Sequence, residues 1–198
     1  MFDWVVSTIE SWGYLGVFLL MVTEHLFPPI PSEVIMPLAG FLAAQDKLSL
    51  GLTILIGTLG STLGTTTWYF IGMWIGETRI KHFAARHGRL MALSPSDIDI
   101  ARGWFERHGA AAVFFGRMVP AIRTLISVPA GLARMPFGKF LAFTAAGSAI
   151  WTGLLTFAGL LLHENYTRVE GYVDLLSKLV VIGVVAIYIY RVVTWKPH

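Results

Sequence analysis

Long apolar runs alternate with short polar ones along this chain, and the apolar runs are of two kinds. Leu52 to Ile75 and Phe140 to Leu162 are long and free of charge. At about 1.5 Å per residue, each is long enough to cross a hydrocarbon core of about 30 Å with some tilt. Both are predicted to be spanning helices. A third is predicted over Leu176 to Val193, where Lys178 and Arg191 sit near the ends and reach the interface by snorkelling.

The second kind is too short or too broken to span. Val34 to Gln45 (VIMPLAGFLAAQ) would reach only about 18 Å as a helix. It contains Pro37 and runs into Asp46 and Lys47. It therefore predicts one arm of a re-entrant hairpin, with Tyr14 to Thr23 as the other arm and 14–45 as the whole region. Ala110 to Ala133 is long enough to cross. Its Val, Ile, Leu and Phe residues contribute roughly −3 to −5 kcal/mol of insertion energy, but Arg117 and Arg123 cost roughly +5 to +7. Pro120 also removes a backbone donor, so 110–133 predicts a second broken hairpin shielded from lipid by protein.

The two halves echo each other. Gly13-x3-Val17-Phe18 recurs as Gly109-x3-Val113-Phe114, and Ala39-Gly40-x-Leu42 resembles Ala130-Gly131-Leu132. The polar segment 77–108 holds Arg79, Lys81, Arg86, Arg89, Arg102 and Arg107, whereas 163–178 holds only Arg168 and Lys178 beside Glu164, Glu170 and Asp174. The positive-inside bias makes 77–108 a cytoplasmic helical segment and puts Arg134, Lys139 and the C-terminus, with Arg191 and Lys196, on the same side. The hairpins then enter from opposite faces. The expected fold is an all-α integral membrane protein: two facing re-entrant hairpins in an inverted-repeat arrangement plus about three transmembrane helices, one domain over 1–198. Residues 1–10 fit either an interfacial helix or the start of a span.

Composition agrees, with 55% hydrophobic and 14% charged residues among 198 and a mean hydropathy of +0.66. The net charge of +3 reflects basic residues clustered beside hydrophobic ends, which suits membrane orientation and anionic lipid rather than nucleic acid. The absence of cysteine excludes disulfides and thiolate metal sites. The N-terminus lacks a basic n-region, so no signal peptide is expected. His82, His87 and His108 lack metal-ligand spacing, and neither a Gly-rich phosphate loop nor a serine nucleophile elbow is present. No metal or soluble cofactor is expected. The regular glycines Gly57, Gly60, Gly64, Gly72 and Gly76 read as helix-packing positions.

Charge inside the broken segments carries the chemistry. Glu24 and Glu33 bracket Phe27, Pro28, Pro29, Ile30 and Pro31, and the prolines Pro28, Pro29 and Pro31 are the expected hairpin breakers. A carboxylate in a poorly hydrated site takes up and releases protons readily, which ion coupling requires; Glu33 could instead be an interfacial helix cap. Arg117 and Arg123 lie on either side of Pro120, and a proline break can turn both toward one cavity. Guanidinium forks suit phosphate oxygens. The alternative is that each arginine neutralises a buried carboxylate such as Glu24 or Glu33.

These residues resemble the DedA family of bacterial inner-membrane proteins, which shares the VTT domain with lipid scramblases of the endoplasmic reticulum. The resemblance rests on Glu24 with the proline run to Glu33, on Phe114-x2-Arg117-x2-Pro120-x2-Arg123, and on Ala130-Gly131, Met135, Phe140 to Gly147 and Trp151. It implies two facing re-entrant hairpins and translocation of polyprenyl phosphate carriers or phosphatidylethanolamine across the cytoplasmic membrane, with protons as a possible drive. Arg117 and Arg123 would then grip the phosphate, with Pro120 between them, and Glu24 and Glu33 would be the acidic, proton-carrying partners. Oligomeric state is left open. Two other classes compete: a proton-coupled exporter of a small solute or ion, and a membrane lipid phosphatase, for which His108 is the near candidate in sequence.

Overall fold

The computed structural model describes residues 2–26, 32–91, 95–120 and 122–161, whose regular structure is helical. The third expected span, the C-terminus and the prolines Pro28, Pro29 and Pro31 lie outside the described residues. The helices are α1 (Phe2–Trp12), α2 (Tyr14–Leu26), α3 (Ser32–Ala44), α4 (Leu50–Met91), α5 (Pro95–Gly116), α6 (Ser127–Leu132) and α7 (Phe137–Leu161).

The polarity of the long helices is inside out. On α4 the buried positions include Thr53, Thr58, Ser61, Thr62 and Thr65, while Leu52, Leu55, Leu59, Leu63, Phe70 and Trp74 are exposed. On α7 Thr144, Ser148, Thr152 and Thr156 are buried, while Leu141, Ile150, Leu154, Phe157 and Leu161 are exposed. So large an apolar surface would be a liability in water but is the ordinary outside of a helix bundle in lipid. The inward hydroxyls fold back onto their own helices: Thr58 donates to Ile54 O at 2.7 Å, Thr65 to Ser61 O at 2.8 Å and Thr152 to Ser148 O at 2.8 Å. Among the described residues, α7 is the helix long and apolar enough to cross a membrane on length and composition alone. In α4 the same inward Ser, Thr and Gly positions lower the hydropathy of Leu52 to Ile75, although the outer face stays apolar.

Helix ends differ from those read in the sequence. The helix holding Leu52 to Ile75 continues into the polar segment, α4 running on to Met91, and α5 runs unbroken through Ala110 to Gly116. Gly76, just before the polar segment, has a φ of 69° in the left-handed region. Arg79 reaches back across this position, donating to Trp74 O at 3.4 Å with its guanidinium carbon 5.7 Å from the Trp74 ring centroid. At the N-terminus α1 is amphipathic, with Val5 and Ile9 buried and Trp4 and Trp12 exposed. At 11 residues it is too short to span.

Contacts repeat between the halves. α2 packs on α4 as α5 packs on α7, and α3 packs across on α7 as α6 packs across on α4. The register holds at single residues. Gly60 faces Phe18 O and the Met21 side chain, and Gly147 faces Phe114 O and the Arg117 side chain. Gly40 and Gly159 make a reciprocal backbone approach between α3 and α7, as Gly131 and Gly72 do between α6 and α4. This pairing uses the register of the sequence echo and extends it to Gly60-Ser61-x3-Thr65-x6-Gly72 on α4 and Gly147-Ser148-x3-Thr152-x6-Gly159 on α7.

Close approach at these glycines leaves no room for a side chain. A Cβ at Gly159 would run into the Pro37 carbonyl, whereas one at Gly153 on the same helix meets nothing within 4 Å. Gly159→Ala is expected to destabilise the protein by roughly 1–3 kcal/mol or more and Gly153→Ala to be near neutral. Melting temperatures of the two variants in detergent check this.

Candidate functional site

Five chain segments bring their polar residues to one place between the halves: the end of α2, the start of α3, the turn joining α5 to α6, and the middles of α4 and α7. The turn makes this possible. Past Gly116 the chain tightens, with Met118 N bonded to Phe115 O at 3.0 Å and Val119 N to Gly116 O at 3.3 Å, then recovers helical bonding from Arg123 N to Val119 O at 2.9 Å. On a straight helix Arg117 and Arg123 would face different ways. Here both are buried, and Arg117 Nη1 donates to Arg123 O at 2.7 Å. Pro120 lies in the turn between them and is itself exposed.

The two arginines have different partners. Arg123 is paired with carboxylates: its Nη2 donates to Glu24 Oε1, its Nη1 donates to Ser32 Oγ, and Glu33 Oε2 lies 3.5 Å away. Arg117, only 2% exposed, donates to neutral atoms alone among the described residues. Its Nη2 reaches Ser61 Oγ and Ser148 Oγ, each at 2.6 Å, and its Nε reaches Ser148 Oγ at 3.1 Å. Direct pairing with a carboxylate therefore describes Arg123, whereas Arg117 lies within electrostatic reach of Glu24 without a hydrogen bond to it among the described residues. A buried cation satisfied only by neutral dipoles still bears a desolvation cost of several kcal/mol, which an arriving anion would offset.

Acceptors and hydroxyls around the arginines are left over. Glu24 Oε2, Glu33 Oε1 and Ser127 Oγ are buried and accept or donate no hydrogen bond among the described residues. His25, next to Glu24, is buried. Its Nδ1 lies 2.9 Å from Met21 O and 3.7 Å from Glu24 Oε2, and its Nε2 lies 3.4 Å from Ser61 Oγ. Trp68 Nε1 donates to His25 O at 2.6 Å and ties this helix end to α4. Among the described residues, no group of three His, Asp or Glu side chains is placed to hold a metal ion.

The sequence singled out Glu24, Glu33, Arg117 and Arg123, and the fold brings all four together. It also adds Ser61, Ser148 and His25, which were missed. Ser61 and Ser148 could have been found as the repeated Gly-Ser pair on the two long helices. The histidine beside the cluster is His25, against Ser61, and not His108, which is exposed and packs at a tilt on Trp104 with centroids 5.7 Å apart.

Breaking the Glu24–Arg123 pair from one side should cost more than removing it whole, because the remaining charge stays buried. Glu24→Leu and Arg123→Leu are each expected to lose about 3–5 kcal/mol, with the double variant recovering much of the loss. Detergent melting of the four proteins forms the cycle that measures it.

Comparison with known proteins places this geometry in a family. The VTT domain matches residues 30–161. The chain is 38% identical to an alkaline phosphatase-like protein of Lactococcus lactis subsp. lactis, over 95% of this chain and 88% of that one. It is 31% identical to undecaprenyl phosphate transporter A of Staphylococcus aureus, over 94% and 92%. The Bacillus subtilis protein of the same name is 29% identical, over 96% and 94%. No solved structure gives a significant match. With its apolar exterior, its central arginine pair and these relatives, the chain belongs to the DedA family of VTT-domain membrane proteins.

Proposed function

We propose that this protein is a transporter that carries an anionic lipid with a phosphate head group, a polyprenyl phosphate first among the choices, across the cytoplasmic membrane of a bacterium. One observation carries the reading: Arg117 is buried in a lipid-facing protein with no carboxylate hydrogen-bonded to it among the described residues. A phosphate entering between the halves would supply that anionic partner while its hydrocarbon chain stays in the bilayer. Two relatives with near-complete overlap are named undecaprenyl phosphate transporters.

In this reading 1–198 is one membrane domain. The regions 14–45 and 110–133 are re-entrant hairpins entering from opposite faces, and 77–108 is cytoplasmic. The brevity of α3, 13 residues, and α6, 6 residues, supports the hairpins, since neither arm can cross alone. The contact pattern supports a repeat with the substrate at its interface, the usual place in transporters. Glu24 and Glu33 are the proton-carrying acids, each with a carboxylate oxygen that has no hydrogen bond among the described residues. The protein acts as a carrier and not as an enzyme. The competing hydrolytic reading draws on the alkaline phosphatase-like relative and on the Ser61–His25 contact. At 3.4 Å that contact is loose, and Ser61 is held more closely by Arg117 at 2.6 Å, which favours binding over attack.

Proteoliposomes containing undecaprenyl phosphate or phosphatidylethanolamine, with and without a pH gradient, test the proposal by head-group accessibility. Wild type is expected to transfer the polyprenyl phosphate, and Arg117→Ala to be slowed at least about tenfold through loss of a charged hydrogen-bond partner. No transfer of either lipid would favour the solute exporter. Release of inorganic phosphate would favour hydrolysis.

A further inference from the structure

Ser61 and Ser148 occupy equivalent positions in the two halves, and they meet. Their Oγ atoms are 3.4 Å apart, both are buried, and both accept from the Arg117 guanidinium. A residue that touches its own equivalent lies on the axis relating the repeats. Carrying the register of Gly40 and Gly131 back along the second arms pairs Ser32 with Arg123, and these two also touch. The axis therefore passes through the arginine cluster.

We propose that Ser61 and Ser148 are substrate-binding residues and that with Arg117 they form a cup for a terminal phosphate monoester, discriminating against phosphodiesters. This rests on the transport of an anionic lipid argued above and names the chemistry of its head group.

The donor inventory supports it. Of the five N–H groups of a guanidinium, four on Arg117 are engaged by Ser61, Ser148 and Arg123 O, leaving one on Nη1 without a partner among the described residues. Ser148 Oγ accepts from Arg117 and lies within reach of Ser61, so its own hydroxyl hydrogen is left to a further acceptor. His25 sets the direction of Ser61: Nδ1 donates to Met21 O, so in a neutral ring Nε2 carries the lone pair that faces the Ser61 hydroxyl. The two hydroxyl oxygens thus stand where phosphate oxygens would bind: the Ser148 hydrogen is free to turn toward an incoming anion, and Ser61 can offer its own by giving up the loose 3.4 Å contact with His25. A monoester presents three terminal oxygens to the guanidinium and two hydroxyls. A diester presents two and adds a second ester arm. Because one serine comes from α4 and the other from α7, phosphate in the cup also contacts both halves at once.

The test is binding to the detergent-purified full chain, comparing farnesyl phosphate, inorganic phosphate and a short-chain phosphatidylglycerol by calorimetry. Variants are Ser61→Ala, Ser148→Ala and the double, with the near-isosteric Ser61→Cys and Ser148→Cys as second variants should alanine impair folding. Wild type is expected to bind farnesyl phosphate at least about tenfold tighter than the diester, and each serine substitution to weaken the monoester about tenfold with little effect on the diester. Inorganic phosphate bound as tightly as farnesyl phosphate would keep the cup but make its source the free anion. Wild-type affinity for farnesyl phosphate in the serine variants, together with loss in Arg117→Ala, would overturn the cup and leave the lipid reading standing. Absence of phosphate binding by wild type would overturn both.

Discussion

A guanidinium removed from water keeps its charge, and the structure around Arg117 is shaped by that constraint. Lipid cannot solvate it, so the protein must supply dipoles at short range and hold them there. Two serines, one backbone carbonyl and the turn after α5 do this, drawing on both halves of the molecule. Arg123 meets the same constraint differently, through Glu24 and Glu33. The contrast gives the site its chemistry: one cation is paired directly with carboxylates, and the other is hydrogen-bonded only to neutral atoms among the described residues.

Delivering those dipoles to one point requires the inside-out helices and the repeat together. Threonines and serines on the inner faces of α4 and α7 can be buried because their hydroxyls first satisfy carbonyls one turn back. Reciprocal glycine contacts then let α3 lie against α7 and α6 against α4 at backbone distance, which brings the short arms and their charges to the centre. Symmetry in the scaffold coexists with asymmetry in the site, since the position equivalent to Arg117 is the buried Met21. Charge is thus concentrated on one arm while the packing around it is shared.

Much of this was legible in the chain. Val34 to Gln45 is too short and Ala110 to Ala133 too costly to be ordinary spans; the first lies in the 13-residue α3, and the second is interrupted by the turn between α5 and the six-residue α6. The four charged site residues stood out because charges are expensive in apolar surroundings. Ser61, Ser148 and His25 did not, because a serine on a glycine-rich helix reads as packing and a histidine beside a glutamate reads as part of the same polar patch. Their importance comes from contacts between distant segments, which hydropathy does not encode. The run-on of α4 past Gly76 was hidden for another reason: hydropathy marks a change of polarity along the chain, and a helix can continue across it.

The most direct test is the structure of the protein in nanodiscs loaded with undecaprenyl phosphate. The phosphate is predicted within hydrogen-bonding reach of the Arg117 guanidinium, between α4 and α7, with the hydrocarbon tail leading out to lipid. Phosphate held at the bilayer surface, with the Arg117 fork unchanged on Ser61 and Ser148, would contradict the account.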